Sequence, residues 1–313
     1  FLDKPNVRLT EADRQHYSRL GLTCGPFPEV AYHGVGKGLW TLRQFAERGL
    51  IRYFFNDIDQ SDALDFAADR LSEVLQAAAA ASPPDELIVA GQKLESIEQL
   101  CKLICDTSEN PKSTWFENVA TNTRRALVRR LKSISKHVRH LIGGDGTFNL
   151  DKQLNVIDLH RLTDKARFFV VGSVLHALFE EREDPDNTAP TTYLVLDELN
   201  KYAPRKSAAP IRQMLLDIAE RGRSLGIILI GAQQTASEVE ERIVGNAALR
   251  IAGRLENAEA ENACYGWLPS QLRQRATLIQ PGTMLISQPQ VPVPLVVHFP
   301  FPAWATRKSE VAD

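Results

Sequence analysis

Residues 193–198 read Tyr-Leu-Val-Leu-Asp-Glu, an apolar strand that ends abruptly in two adjacent carboxylates. At the carboxyl end of a buried strand, one acid can hold Mg²⁺ through water, and an acid directly after it can polarise an attacking water. Asp197 and Glu198 have the residue types and the order for these two roles. A strand that simply ends in a charged, solvated loop is the alternative, and the pair by itself does not decide between them.

The sequence after the acidic pair predicts one β-α-β unit. A short polar loop at 200–210 precedes apolar residues whose spacing predicts an amphipathic helix over 210–221. The continuous apolar run at 226–231 is typical of a central parallel strand that is covered on both faces. Gln233 follows this strand, where an amide can hydrogen-bond a γ-phosphate or the attacking water. An ordinary polar strand end is the alternative for Gln233.

Several motifs give the chain a resemblance to a known family. They are Leu-Asp-Glu-Leu-Asn-Lys-Tyr-Ala-Pro at 196–204, Glu-Arg-Gly-Arg-Ser-Leu-Gly at 220–226, Gly-Ala-Gln-Gln at 231–234 and Asn-Ala-Ala-Leu-Arg-Ile-Ala-Gly-Arg at 246–254. Together they resemble the HerA branch of the HerA/FtsK translocase ATPases. The resemblance is specific across 190–300 and poor over 60–145.

The resemblance implies a RecA-like P-loop NTPase core, an α/β fold with a mostly parallel sheet, that uses ATP and Mg²⁺. In such a core Asp197 holds Mg²⁺ through water, Glu198 activates water and Gln233 senses the γ-phosphate. It also implies a homo-oligomeric ring, expected to be a hexamer, that translocates or unwinds double-stranded DNA. A nuclease or other effector protein is the further partner that the resemblance implies.

Two arginines, Arg221 and Arg223, lie at the end of the helix predicted over 210–221. In ring ATPases an arginine of one subunit reaches the γ-phosphate of its neighbour, and a guanidinium suits this role because it stays charged and donates several directed hydrogen bonds. We expect Arg223 to be this finger, with Arg221 next and Arg250 and Arg254 as third choices. The alternative is that cations are favourable at a helix C-terminus.

Two basic segments are candidates for DNA contact. The first is the loop after the acidic pair, with Lys201, Arg205 and Lys206; an ordinary solvated loop is the alternative. The second is a helix predicted within 115–141, which carries seven cations and no acid after residue 120. A solvated helix face is the default interpretation of this helix, and a DNA-backbone contact or an acidic neighbouring subunit remains open.

A phosphate-binding loop of the form G-x-x-x-x-G-K-[ST] is absent from the sequence. Gly34-Val-Gly-Lys-Gly38 lacks both the first glycine and the Ser/Thr, and the glycine-rich turn at 143–146 lacks a lysine. In the resembled family the loop lies upstream of the segment that Phe1 continues, so we expect an N-terminal part to be absent from this chain. A natural half-site protein, acting as a non-hydrolysing scaffold or partner-binding module, is the alternative.

Composition is that of an ordinary globular protein: 313 residues, 43% hydrophobic, with a net charge of −2. This charge argues against a uniformly basic nucleic-acid-binding surface, so any DNA contact is local. No apolar run approaches the roughly 20 residues of a membrane span. The four cysteines are scattered and are expected to be reduced thiols, with Cys101 and Cys105 buried in a helix rather than bound to a metal. These features predict a cytoplasmic protein.

The remaining pattern predicts the domain organisation. The ATPase core begins at 1–58, an all-helical insertion follows at 59–145, the core resumes at 146–302 and a tail covers 303–313. Strands are predicted at 29–34 and 51–55 in the first part. A further strand at 154–159 contains Asp158, which competes with Asp197 for the metal role but lacks an acidic neighbour. The residues from 307 onward are expected to be a mobile polar tail.

Overall fold

The computed structural model describes residues 1–34, 38–55, 61–110, 112–143, 149–184, 188–206 and 209–311. The chain divides into two compact units. The first unit comprises Phe1–Tyr32, Leu150–Val156 and Thr235–Asp313, and the second unit comprises His33–Asn149 and Ile157–Gln234. No helix among the described residues is both long enough and apolar enough to cross a membrane.

The α-helices of the described residues are α1 (Glu11–Arg19), α2 (Leu42–Glu47), α3 (Asp62–Ala81), α4 (Ile97–Glu109), α5 (Thr121–Val138), α6 (Asp164–Glu183), α7 (Leu199–Tyr202), α8 (Pro210–Arg221), α9 (Glu241–Asn246), α10 (Asn257–Ala260) and α11 (Ser270–Ala276). The strands are β1 (Val30–Gly34), β2 (Leu87–Val89), β3 (Gln92–Leu94), β4 (Leu154–Asp158), β5 (Thr192–Asp197), β6 (Ile227–Ala232), β7 (Arg250–Ala252), β8 (Thr283–Ser287) and β9 (Leu295–His298).

In the second unit, β5 and β6 form a parallel pair joined by the crossover helix α8, which confirms the predicted β-α-β unit. Helix α8 has the predicted bounds: Pro210 stands in the first turn, where its missing N–H costs nothing, and the helix stops at Gly222. Its residues Ile211, Leu215 and Ile218 are buried. The helical period read from the sequence therefore identifies the face of α8 that packs inward.

The prediction that β6 is covered on both faces is wrong in this chain. Tyr193 and Val195 of β5 lie opposite Ile228 and Ile230 of β6, and these four side chains are 41–64% exposed. The other face is at least partly covered, because Leu199 packs so closely on Gly231 that an added Cβ would lie 2.3 Å from its Cδ2. An apolar run shows that a strand can be buried, but what packs on it decides whether it is.

The prediction of a strand at 51–55 is also wrong. Leu50–Phe54 forms a 3₁₀ helix, and Leu50, Ile51, Tyr53 and Phe54 are all buried. Gly49 begins this turn with φ +60, a conformation that suits glycine. A short continuous apolar run has no periodicity to separate a strand from a buried helical turn, so only its surroundings decide the outcome.

The predicted insertion is helical over most of its described residues, but it also contains a small β-hairpin, so the prediction that it is all-helical is wrong. Helices α3, α4 and α5 form its body, and β2 pairs with β3 in antiparallel register. Ala90 and Gly91 connect the two strands with φ +50 and +77, the backbone conformation of a type I′ hairpin turn. Strands of three residues are too short to show alternation, which is why the sequence did not reveal them. The predicted boundaries near 58 and 145 lie outside the described residues.

In the first unit, β7, β8 and β9 form an antiparallel sheet in that order. The prolines at 289, 292 and 294 predict an edge or terminal position for the last strand, and β9 lies at the edge of this sheet, which confirms the prediction. The prediction of a mobile tail is wrong for Lys308–Glu310, which forms a short 3₁₀ turn. The buried carboxylate of Glu310 accepts hydrogen bonds from Thr306, Arg307 and Asn6, so the last described residues are held against the unit.

Candidate functional site

The acidic pair lies where β5 ends. Asp197 pairs with Ala232 in the last register position of the two parallel strands, and Glu198 follows with φ +56. This left-handed conformation is uncommon for a residue with a side chain, and it turns the chain directly into α7. The predicted polar loop therefore begins with a turn of helix. The backbone N–H of Glu198 donates to Oδ1 of Asp197 at 3.0 Å, which links the two acids.

Lys201 is the close partner of Glu198. Its Nζ donates to Oε2 of Glu198 at 2.6 Å across three residues, and both side chains are about half exposed. The hydrogen bond from Lys201 is the main reason why the pKa of Glu198 is lowered, and the charge of Arg167 adds to the effect. Glu198 is therefore ionised at neutral pH, as a water-activating base must be, but its carboxylate is paired.

Gln233 lies beside the acidic pair. Because Asp197 is opposite Ala232, Glu198 and Gln233 are the next residues on two neighbouring parallel strands, which run about 5 Å apart. The side-chain Oε1 of Gln233 is shielded from solvent and has no hydrogen-bond partner among the described residues. A buried polar atom without a partner is costly, and a bound group or water at this strand edge would satisfy it.

The start of α6 contributes residues that sequence reasoning did not identify. Arg167 donates to the backbone oxygens of Leu159 and His160, and its charge acts on Glu198. The buried ring of Tyr202 in α7 packs edge-on against Phe168, with ring centroids 5.6 Å apart. The sequence feature that could have identified Arg167 is a cation close to a predicted helix N-terminus, because the helix dipole disfavours positive charge there.

Asp158, the predicted competitor for the metal role, ends β4. Its Oδ1 accepts a hydrogen bond from the backbone N–H of His160 at 2.9 Å. This contact is a local turn within the β4–α6 connection. Asp158 has no acidic neighbour in sequence, whereas Asp197 is followed directly by Glu198.

The arginines predicted to complete the site lie at the other end of the strands. Arg221 ends α8 and Arg223 follows it, before β6 begins at Ile227 opposite Thr192. The six-residue strand separates this end from Asp197 by roughly 16 Å. Arg221 lies 3.9 Å from Glu183, whereas the Arg223 guanidinium has no partner among the described residues. Neither arginine therefore belongs to the acidic cluster of its own chain, by which we mean Asp197, Glu198 and the bound Lys201.

The predicted DNA-contact residues divide into two groups. Lys201 lies within α7 and is bound to Glu198, so it is part of the acidic cluster. Arg205 and Lys206 are exposed beyond the helix.

The donor set fits Mg²⁺ bound through water, because that ion keeps several water ligands and needs only one or two carboxylates. Asp197 supplies one carboxylate at the strand end. In the described ranges no three or more His, Cys, Asp or Glu residues group into a further metal site. Of the weak phosphate-loop candidates, residues 35–37 and 144–146 lie outside the described residues. Cys101 and Cys105 are buried thiols, and burial raises the pKa of both.

Comparison with solved structures identifies the fold class. No protein-family model and no curated protein matches the sequence. Among solved structures, the chain is similar to the plasmid coupling protein TrwB in complex with the ATP analogue ADPNP, with a TM-score of 0.61, 11% identity and coverage of 91% of this chain and 77% of TrwB. It is also similar to VirB4 of Thermoanaerobacter pseudethanolicus, with a TM-score of 0.58, 15% identity and coverage of 96% of this chain and 81% of VirB4.

These similarities show the fold class. The chain has the α/β fold of RecA-like P-loop NTPases, with parallel strands and helices, which confirms the fold predicted from the sequence. At 11–15% identity the likeness extends to the fold and not to the individual site residues.

Proposed function

We propose that this chain is the body of an ATPase of the HerA/FtsK type, which binds ATP with Mg²⁺ and uses hydrolysis to translocate or unwind double-stranded DNA. The observation that carries the proposal is the register of β5 and β6. It brings Glu198 and Gln233 to the ends of two neighbouring strands, next to Asp197, and the buried amide oxygen of Gln233 has no hydrogen-bond partner among the described residues. The likeness to TrwB, whose structure holds an ATP analogue, supports the same class.

In this proposal the three residues have different tasks. Asp197 holds the hydrated Mg²⁺, which neutralises phosphate charge when bound. Glu198 orients the attacking water and accepts its proton, and for this it must exchange its contact with Lys201 for one with water. The Oε1 of Gln233 accepts a hydrogen bond from the attacking water, which satisfies this buried oxygen, and the Nε2–H group can donate to the γ-phosphate.

The position of the arginines supports action between subunits. Arg223 lies at the end of β6 that is remote from Asp197, so it could serve only the site of a neighbouring subunit. We propose that a homo-oligomeric ring, expected to be a hexamer, brings Arg223 to the nucleotide of its neighbour. Arg221 is the second choice. A cytoplasmic ring of this kind would act with a nuclease or other effector protein.

The experiment that tests this proposal is a comparison of ATP binding and turnover. The sequence holds no G-x-x-x-x-G-K-[ST] motif, so a phosphate loop would come from polypeptide outside these 313 residues. We expect this chain alone to bind ATP·Mg²⁺ weakly, because the backbone amides of that loop form the main phosphate-binding surface. In a form that carries the loop, Glu198→Gln should abolish turnover and retain ATP binding, since an amide cannot act as a base.

The matched control is Glu261→Gln, which removes an exposed carboxylate of the first unit. Turnover by Glu198→Gln within a few-fold of the unmodified protein would contradict the water-activating role and direct the same test to Asp158. Low-micromolar binding of ATP by this chain alone would contradict the proposed location of the nucleotide site.

A non-hydrolysing scaffold or partner-binding module is the second candidate, and one observation favours it. A parallel sheet is normally covered on both faces, yet Tyr193, Val195, Ile228 and Ile230 leave one face of the β5–β6 pair exposed. The upstream gene sequence separates the two candidates: a G-x-x-x-x-G-K-[ST] motif directly before Phe1 supports the enzyme, and a natural start near Phe1 supports the scaffold.

A further inference from the structure

A straight row of cations runs along the exposed face of α5. Its members recur at intervals of four and three residues and are all exposed: Arg125, Arg129, Lys132, Lys136 and Arg139. At 3.6 residues per turn they lie within an arc of about 80° and extend over about 21 Å. The buried residues Leu127, Leu131, Ile134 and Val138 lie on the opposite side of the helix. We call these five residues the basic row.

The basic row is not neutralised within the part of the chain that the structure describes. None of its charged groups has a hydrogen-bond or ion-pair partner there. Elsewhere in the same unit, some cations on helices are paired with acids one turn away, as Arg43 is with Glu47 and Arg70 is with Glu73. Like charges one turn apart destabilise a helix, so the row is unfavourable in the absence of a partner.

The neighbouring helix α4 does not relieve this repulsion. Its acids Asp106 and Glu109 act on the Cys105 thiol, as does Lys132 of the row. Neither acid forms an ion pair with Lys132 in the described ranges. The α4 acids therefore lie near one member of the row without binding it.

The surroundings of the row identify the kind of partner. Every exposed residue from 121 to 140 is polar, comprising Thr121, Asn122, the five cations and His140. A protein interface needs an apolar or aromatic centre, whereas an interface with DNA is polar and strongly positive. Proteins that bind single strands stack bases on several aromatic side chains, whereas His140 is the only aromatic residue among these exposed residues.

We propose that the basic row binds the phosphate backbone of double-stranded DNA without sequence preference. This surface lies on α5, whereas Asp197 and Glu198 lie at the end of β5 and Arg205 and Lys206 follow α7, and its binding requires no nucleotide. Five evenly spaced cations over about 21 Å can follow roughly six base pairs of a duplex, which carries one charge per ~1.7 Å of axis.

Fluorescence anisotropy with a labelled duplex of about 20 base pairs tests the proposal at several salt concentrations. The test variant combines Arg125→Gln, Arg129→Gln, Lys132→Gln, Lys136→Gln and Arg139→Gln. The matched control replaces five exposed cations elsewhere by glutamine, namely Arg19, Lys102, Lys112, Lys152 and Arg275. Both variants lose the same charge, so only a localised surface distinguishes them.

We expect the row variant to bind DNA about tenfold or more weakly than the control. Its plot of log affinity against log salt concentration should be shallower, with a slope smaller in magnitude by about four. Its thermal unfolding midpoint should be at least that of the unmodified protein, because repulsion is removed. Equal affinity and slope in both variants would overturn the proposal. So would row-dependent binding of poly-L-glutamate with row-independent binding of DNA, which would identify an acidic protein as the partner. Because no nucleotide is present, a failure of the ATPase proposal leaves this outcome unchanged.

Discussion

The ammonium nitrogen of Lys201 lies 2.6 Å from a carboxylate oxygen of Glu198, three residues earlier in the chain. The sequence assigned these two residues to different tasks, one to DNA contact and the other to water activation. Their hydrogen bond joins both tasks in one turn of helix. Any partner that draws Lys201 away would free the carboxylate that the proposed chemistry requires.

The first prediction follows from this pair. Lys201 lowers the pKa of Glu198, so Lys201→Gln should raise it toward the ordinary value of 4.5. Carboxyl-carbon NMR titration of Glu198 measures this pKa directly. In a form that hydrolyses ATP, the acid limb of the activity profile should move to higher pH by the same amount. Lys206→Gln is the control, and an unchanged Glu198 titration in Lys201→Gln would refute the coupling.

The second prediction concerns Arg223. In an ATP-hydrolysing form, Arg223→Ala should lower turnover by roughly 10³–10⁵, as arginine fingers contribute in other nucleotide hydrolases. Rings that mix Arg223→Ala and Glu198→Gln subunits contain interfaces with both residues intact, so part of the activity should return in steady-state assays. If Arg223 is only a helix-end cation, Arg223→Ala should lower the free energy of unfolding by about 0.3–1 kcal/mol, and mixing subunits should restore no activity. Arg221→Ala in the same assay shows whether the other arginine acts instead.

The third prediction concerns the pH dependence of stability through Glu310. Hydrogen bonds from Thr306, with those from Arg307, lower the pKa of this buried carboxyl to about 2 in the folded protein, from an ordinary 4.5. Its stabilising effect is therefore complete above pH 4.5 and is lost as the pH falls toward 2. Urea midpoints of Glu310→Gln should be below those of the unmodified protein at pH 7 and should converge with them in acid. Glu261→Gln is the exposed control, and parallel curves for Glu310→Gln and the unmodified protein would contradict the role of Glu310.

The fourth prediction concerns Gly172 in α6. A Cβ at this position would lie 2.4 Å from Cδ1 of Tyr53, whose hydroxyl donates to Met214 and contacts His176. Gly172→Ala should therefore destabilise the protein by about 1–3 kcal/mol in urea unfolding, although alanine favours helices by up to ~1 kcal/mol.

The control for Gly172 is Gly245→Ala in α9, where an added Cβ meets nothing within 4 Å. That variant should keep or increase stability. Equal effects at the two positions would show that the Tyr53 contact can relax.

The sequence predicted the fold well where local chemistry dominates. Helix α8 has the expected bounds because Pro210 and Gly222 mark its ends and its apolar residues keep a helical period. The acidic pair was predicted at a strand end and lies there. The roles of Asp197, Glu198, Gln233 and Arg223 stay predictions, since no ligand or neighbouring subunit is present to test them.

The sequence by itself determined the β-α-β unit, the order of the acids and the phase of the cations along α5, because these depend on residues a few positions apart. Only the tertiary structure decided that one face of β5 and β6 is exposed, that Leu50–Phe54 is a helical turn and that Glu310 is buried. It also separated Arg223 from Asp197 by the length of a strand. The physical reason is that periodicity records which side of an element is apolar, whereas burial and distance depend on what packs against it.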